Sequence, residues 1–173
     1  MSIKIRKCRP EYWEEILGLY QKVAAIPGGL ARTSAEISGD YVKDFQRKAK
    51  ETGLSLIALS GMDIVAEIHA HKLQPQVFSH VLSELTIAVH PDFQGKGVGK
   101  ALFSAFLEEV ATSRPDILRV ELISRESNSK AIRFYESLGF KQEGRFEQRI
   151  DRGDGTFEAD IPMAWINPNY SKR

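Results

Sequence analysis

Between an apolar run, Leu85-Thr86-Ile87-Ala88-Val89, and an amphipathic run from Ala101 to Val110, the chain reads Gln94-Gly95-Lys96-Gly97-Val98-Gly99-Lys100. No other stretch restricts the fold as much. It predicts a strand, a tight turn and a helix in immediate succession. Three glycines let the backbone turn sharply and bare its N–H groups. The helix that follows adds the positive end of its dipole, so the turn suits a phosphate group. Two familiar nucleotide motifs do not fit. A Walker loop needs Ser or Thr after Gly-Lys, and Gly99-Lys100 is followed by Ala101. The dinucleotide pattern needs a third glycine where Lys100 stands. What remains is Gln-x-x-Gly-x-Gly.

That remainder resembles the pyrophosphate-binding signature of the GNAT superfamily of acyl-coenzyme A N-acetyltransferases. A second segment, Asn128-Ser129-Lys130-Ala131-Ile132-Arg133-Phe134-Tyr135-Glu136-Ser137-Leu138-Gly139-Phe140, is similar to the same superfamily's Asn-x-x-Ala-x-x-Phe-Tyr-x-x-x-Gly-Phe helix. It begins 29 residues after Gly99, which leaves room for one helix and one strand. The specific match covers about residues 80 to 140; the flanks agree only in their order of elements.

Periodicity outlines the rest. Ile3 to Arg6 alternates as a short strand, and Pro10 opens a helix with Ile16, Leu19, Tyr20 and Val23 on one face. Thr33-x-x-Glu36 has the form of a capping box for a second helix bearing Ile37, Tyr41, Val42 and Phe45, with Gly39 inside it and Gly53 at its end. Strands are expected over 54–59, 64–73, 81–89 and 117–124, with a last hairpin of 144–150 and 156–166. The helix after the glycine turn has a wide apolar arc of Val98, Ala101, Leu102, Ala105, Phe106 and Val110. Periodicity alone gives a mixed sheet with helices on both faces. The resemblance implies more: a single α/β (α+β) domain over 1–166, with a mostly antiparallel central sheet of about seven strands and about four helices. Residues 167–173 form a polar tail.

A length of 173 residues suits one domain, and the net charge of +1 gives no argument for nucleic acid, membrane or a highly charged substrate. The lone Cys8 and the absence of an apolar leader or spanning run make the cytoplasm the expected compartment.

The resemblance also implies an activity, acetyl transfer from acetyl-CoA to a small amine by direct transfer in a ternary complex. A homodimer is compatible with it, and no metal is expected. Backbone groups of Ile87, Ala88 and Val89 would pair with pantetheine, and the Val89 N–H would polarise the thioester carbonyl. Amides of Gly95, Lys96, Gly97, Val98, Gly99 and Lys100 would hold the pyrophosphate. Gln94 would brace the turn, Asn128 would bond the pantetheine or phosphate end, and Phe134 on the same helix would also line the cofactor site. Lys96 and Lys100 either neutralise phosphate or are solvated charges. Tyr135 stands at the general-acid position, with aromatic packing beside Phe134 as its structural alternative. Glu84 is the candidate base, acting through water, against the alternative of a polar edge residue. A domain that binds the coenzyme without chemistry, and an enzyme acting on a protein N-terminal amine, are the competing readings.

Four further expectations come from the residues themselves. A two-residue hairpin at Gln74-Pro75-Gln76-Val77 would oppose Glu67 to Glu84, His69 to Leu82 and His71 to His80. Two opposed carboxylates would raise one pKa, as a base near neutrality needs. His69, His71 and His80 would then share a face, as acceptor-pocket or surface histidines rather than zinc ligands. Cys8 lacks an adjacent base and reads as a bystander. The resemblance, for its part, implies that residues 26–32, with Arg32 as a holder of an acceptor carboxylate or a solvent-facing charge, and residues 149–155 shape the acceptor side.

Overall fold

The computed structural model describes residues 2–171. Eight strands and four helices follow one another as β1 (Ile3–Lys7), α1 (Trp13–Ala24), α2 (Gly39–Thr52), β2 (Leu54–Ser60), β3 (Asp63–Lys72), β4 (Val81–Val89), α3 (Val98–Ser113), β5 (Arg119–Arg125), α4 (Ser129–Ser137), β6 (Lys141–Gln142), β7 (Phe146–Asp151) and β8 (Phe157–Ile166). The strands lie in the order β1-β2-β3-β4-β5-β8-β6, with β7 also paired to β8. Only β4 and β5 run parallel among the paired strands whose registers are described here. The eighth strand, absent from the expectation of about seven, is the two-residue β6, too short for any periodicity to show.

The chain forms two compact units, and β4 contributes to both. The first runs up to His71 and adds Thr86–Glu109. Its core is built from Ile16, Leu19, Tyr20 and Val23 of α1, Val42 and Phe45 of α2, Ile57 and Leu59 of β2, and Ala88 of β4. The spacing of the α1 set puts every one of these side chains on a single helix face. Pro10 starts a short 3-10 turn rather than α1 itself. The Thr33/Glu36 capping box is present, but it closes the 3-10 turn Ser34–Glu36. The cap of α2 is Ser38, whose Oγ accepts the Tyr41 N–H at 3.2 Å. Gly39 is therefore the first residue of α2 rather than an interior one, and the interior-glycine penalty does not apply. On α3 the buried side chains are Val98, Leu102, Phe103, Phe106, Leu107 and Val110. Ala101, assigned to the apolar arc from sequence, is exposed.

The second unit comprises Lys72–Leu85 and Val110 onward. β5 pairs with β8 along its whole length, from Arg119↔Ile166 to Arg125↔Asp160. The expected hairpin forms as β7 and β8, with a register shift between Phe146 and Ile150 and a left-handed Gln148 (φ 52°). The polar tail is described as far as Ser171; positions 172 and 173 lie outside the described residues. Its first residue, Asn167, is buried, and its Nδ2 donates to Ile117 O at 2.8 Å and Arg114 O at 3.3 Å. Ser171 N–H reaches Pro115 O at 3.0 Å. The segment after β8 is thereby tied to the connection between α3 and β5.

Candidate functional site

The glycine turn belongs to the first unit, and its geometry follows from the end of β4. His90 N–H donates to Val65 O at 2.8 Å, closing the ladder with β3. A 3-10 turn, Pro91–Phe93, follows, capped by His90 Nδ1, which accepts the Asp92 N–H at 3.2 Å. Gln94 Nε2 then reaches back to Val89 O at 3.0 Å. This is the brace expected of Gln94: it fixes the turn to the last carbonyl of the strand. Gly95 and Gly97 take φ of 71° and 80°, the left-handed region where any other L-residue is strained. Both are exposed, and a Cβ at either would meet nothing within 4 Å. Conformation, not crowding, therefore demands glycine at these two positions.

The Ala101 N–H bonds to Gly97 O at 3.0 Å, so the amides of Val98, Gly99 and Lys100 precede the first rung of the helical ladder. The turn presents backbone donors at the positive end of a 16-residue helix, with open space over its two left-handed glycines. A diphosphate fits that chemistry. Lys96 Nζ sits 5.7 Å from the Phe93 ring centroid, so its ammonium is in reach of an aromatic face. On the strand, Ala88 is buried in the α1/α2 core, whereas Ile87 and Val89 are half-buried. Alternation directs them to the opposite face.

The second unit carries Asn128, Phe134, Tyr135 and Glu84. Asn128 Oδ1 caps α4 by accepting the Ala131 N–H at 3.1 Å, which leaves its Nδ2 protons as the donors for any ligand. α4 ends in a left-handed Gly139 (φ 95°), with Phe140 N–H bonded to Tyr135 O and Gly139 N–H to Glu136 O. That pair of bonds is a Schellman cap, as the Gly139-Phe140 sequence predicts. Tyr135 is half-buried between Phe134, 5.6 Å away by ring centroid, and Phe140, 6.1 Å away. Burial raises its phenol above the ordinary value of 10, so it is protonated at neutral pH. Glu84 is exposed in the middle of β4 and holds a left-handed φ of 53°. Such backbone conformations in a non-glycine residue cost on the order of 1–3 kcal/mol and tend to occur at functional positions. β4 pairs with β5 through Val81↔Arg119 and Leu82↔Val120 only, just ahead of that kink.

The two-residue hairpin at 74–77 does not form. The Gln74–Pro75 peptide is cis, Gln76–Phe78 is a 3-10 turn, and strand pairing ends at Lys72 and resumes at Val81. The register that opposed Glu67 to Glu84 loses its premise. Glu67 is fully buried in the first unit with other partners. Tyr20 OH donates to its Oε2 at 2.6 Å, Ser55 Oγ donates to Oε1 at 2.6 Å, and His69 Nδ1 lies 3.0 Å from Oε2. His69 stacks on Phe45 with ring centroids 3.9 Å apart. His69 and His71 are buried, contrary to a surface role, while His80 borders a cleft of the second unit with Arg114, Asp116 and Tyr170. Among the described residues no group of three or more His, Cys, Asp or Glu is arranged to hold a metal ion.

Cys8 is pushed up to about 11 by burial and then by the Glu67 charge, so it remains a thiol and not a nucleophile. Arg32 lies with its Cζ 4.5 Å from the Tyr41 ring centroid, and Arg149 is ion-paired to Asp160 at 3.5 Å. Sequence reasoning missed the partners of Glu67. The available signal was Tyr20 itself, a hydroxyl on a face otherwise made of Ile16, Leu19 and Val23, where a buried phenol needs an acceptor.

The sequence profile of the acetyltransferase (GNAT) family matches residues 16–140. A [ribosomal protein bS18]-alanine N-acetyltransferase from Salmonella typhimurium (strain LT2) is 45% identical over 65 residues, which is 36% of this chain and 43% of that protein. The matched part thus spans less than half of the curated relative. An acetyltransferase of the GNAT family from Streptococcus pneumoniae superposes with a TM-score of 0.84 at 19% identity, covering 95% of this chain and 99% of that one. The structure of yncA from Salmonella typhimurium with its cofactor acetyl-CoA gives a TM-score of 0.83 at 18% identity, covering 99% and 98%.

Proposed function

The chain belongs to the GNAT family of acetyltransferases, and from that premise we propose that it transfers the acetyl group of acetyl-CoA to a primary amine. The observation that carries this reading is the braced glycine turn, with Gly95 and Gly97 left-handed and the amides of Val98 to Lys100 ahead of the helical ladder. Acetyl-CoA, when bound, supplies an acyl group already activated as a thioester. Amides from Gly95 through Lys100 hold the diphosphate, Gln94 keeps the turn in place, and Asn128 Nδ2 donates to the coenzyme. The backbone of Ile87, Ala88 and Val89 orients the pantetheine arm, and the Val89 N–H donates to the carbonyl oxygen as negative charge develops there.

Two proton transfers remain for the side chains. An ammonium has no lone pair, so Glu84 takes a proton from the acceptor amine through water. Tyr135 returns a proton to the departing sulfur. Even at its ordinary value of about 10 a phenol is an uphill donor, by about 2 kcal/mol, to a thiolate whose conjugate acid titrates at about 8.5, and burial of Tyr135 adds to that cost. That is small beside a barrier of roughly 16 kcal/mol for a turnover of about 10 per second. The same upward displacement keeps the proton on Tyr135 at neutral pH.

For the acceptor, the curated relative favours the N-terminal amine of a polypeptide, since its name specifies the alanine of a ribosomal protein. The family resemblance read from sequence implies a free small amine instead. Thiol release from acetyl-CoA, measured with an alanine-initiated peptide, free amino acids and a polyamine, tests both. Amine-dependent release supports acetyl transfer, and the preferred amine identifies the acceptor class. Coenzyme binding with no amine-dependent release across the panel would leave a binding module and refute the enzyme.

A further inference from the structure

We propose that Lys22 and His90, in the first unit, hold an oxyanion between them. His90 Nδ1 accepts the Asp92 backbone N–H at 3.2 Å. A backbone amide can only donate, so Nδ1 carries the lone pair, and a neutral imidazole must place its proton on Nε2. Nε2 lies 3.4 Å from Lys22 Nζ. An ammonium has three donors and no acceptor. Two N–H donors therefore face each other across a hydrogen-bonding distance. The opposite tautomer only moves the conflict to Nδ1, where it would confront the amide. An acceptor reached by both nitrogens resolves it.

The surroundings favour an anion over a water molecule as that acceptor. The ammonium of Lys22 brings a full positive charge, and the Lys96 ammonium lies over the ring of Phe93, which itself packs edge-on against His90 at 5.9 Å. The carboxylate of Asp92 is 3.9 Å from Nδ1, whereas Lys22 faces the ring's other nitrogen, Nε2. It neither bridges the two donors nor faces the ammonium through Nε2. A phosphate or carboxylate offers two oxygens, one for each donor, and both contacts become charge-assisted with respect to the anion. The pair is separate from the amides of Gly95 to Lys100 and draws one of its two donors from α1. The inference goes beyond acetyl transfer and does not depend on it.

The test uses the full chain and the ring signals of His90 in NMR spectra, identified by their loss in His90→Gln. Titration with inorganic phosphate should shift the His90 signals saturably, and Lys22→Met, which keeps the aliphatic stem, should weaken that response at least fivefold. Coenzyme A and dephospho-coenzyme A serve as further arms. Response to the first alone assigns the oxyanion to the 3′-phosphate; response to both assigns it to the diphosphate. Response to phosphate with neither coenzyme bound keeps the pair while removing the coenzyme reading, so the two failures are distinguishable. His90 signals indifferent to phosphate and to both coenzymes, or equally responsive in Lys22→Met, would overturn the proposal.

Discussion

Replacing Gly97 by Ala isolates what the glycine turn contributes. Gly97 has φ of 80°, and a Cβ there would touch nothing within 4 Å. The substitution therefore introduces no clash, only the cost of holding an L-residue in the left-handed region, about 1–2 kcal/mol. That cost appears in one of two places. If the turn keeps its conformation, unfolding becomes easier by about 1–2 kcal/mol, a fall in melting temperature of roughly 2–8 °C for a chain of this size. If the turn relaxes in the free protein and must be re-formed around the coenzyme, the dissociation constant rises instead, by about 5- to 30-fold at roughly 1.4 kcal/mol per factor of ten. Urea unfolding and calorimetric titration with coenzyme A, performed on the same preparations, measure both, and the two losses should sum to about 1–2 kcal/mol. Gly99→Ala is the control. Gly99 lies in the first turn of α3 without a left-handed φ, and its Cβ would meet Val89 Cγ2 at 3.4 Å, an ordinary contact. It should leave affinity within about twofold and stability unchanged or up to about 1 kcal/mol higher. If Gly97→Ala changes neither quantity, or Gly99→Ala costs as much, the conformational argument fails.

Other outcomes follow from the same structure. Tyr135→Phe should lower kcat by at least about 100-fold while leaving coenzyme affinity within twofold, the pattern of a lost general acid; equal falls in kcat and affinity would instead indicate packing. Tyr20→Phe removes the 2.6 Å donor to a fully buried carboxylate and should destabilise the fold by about 1.5–3 kcal/mol in urea. Tyr20 is held well above 10, first by burial and then by the Glu67 charge. Its contribution is present below about pH 10, the unfolded value, and is lost as pH rises toward the folded value, so the variant should lack part of the wild-type alkaline decline. Glu158 is held below the usual carboxylate range by the Ser127 side chain, with the Ser127 N–H and Arg152 also contributing. Its stabilisation exists above the unfolded value of about 4.3 and disappears as pH falls through the folded one, so Glu158→Gln and wild type should converge in urea midpoint on the acid side of pH 4.

Local features were legible in the sequence; partners distant along the chain were not. The glycine turn and the α4 cap declare themselves because each is specified within a few residues: Gln94 reaches only as far as Val89, and Asn128 caps its own helix. The Thr33/Glu36 signature predicts a capping box for the second helix; the box forms, but on a 3-10 turn, because Ser38 offers a second cap five residues later and α2 uses that one. The connection between β3 and β4 defeated a two-residue reading, since residues 73–80 form a longer link with its own 3-10 turn. That length has no signature in the residues themselves, and neither does the left-handed kink of the backbone at Glu84. The partners of Glu67 were the hardest to foresee. Tyr20 lies 47 positions away, and only the packing of α1 on the strands brings the two together. For the same reason nothing in the sequence pointed to Lys22 beside His90, 68 positions apart.

In the proposed function, amides between Gly95 and Lys100 grip the coenzyme's diphosphate. Titration of the folded protein with coenzyme A, followed through the backbone N–H resonances, tests it at the atoms concerned. One saturable site should appear, with the largest shifts confined to the amides of Gly95 to Lys100 and a stoichiometry of one per chain. Well-dispersed spectra that do not change at millimolar coenzyme, or that change only elsewhere, would contradict it.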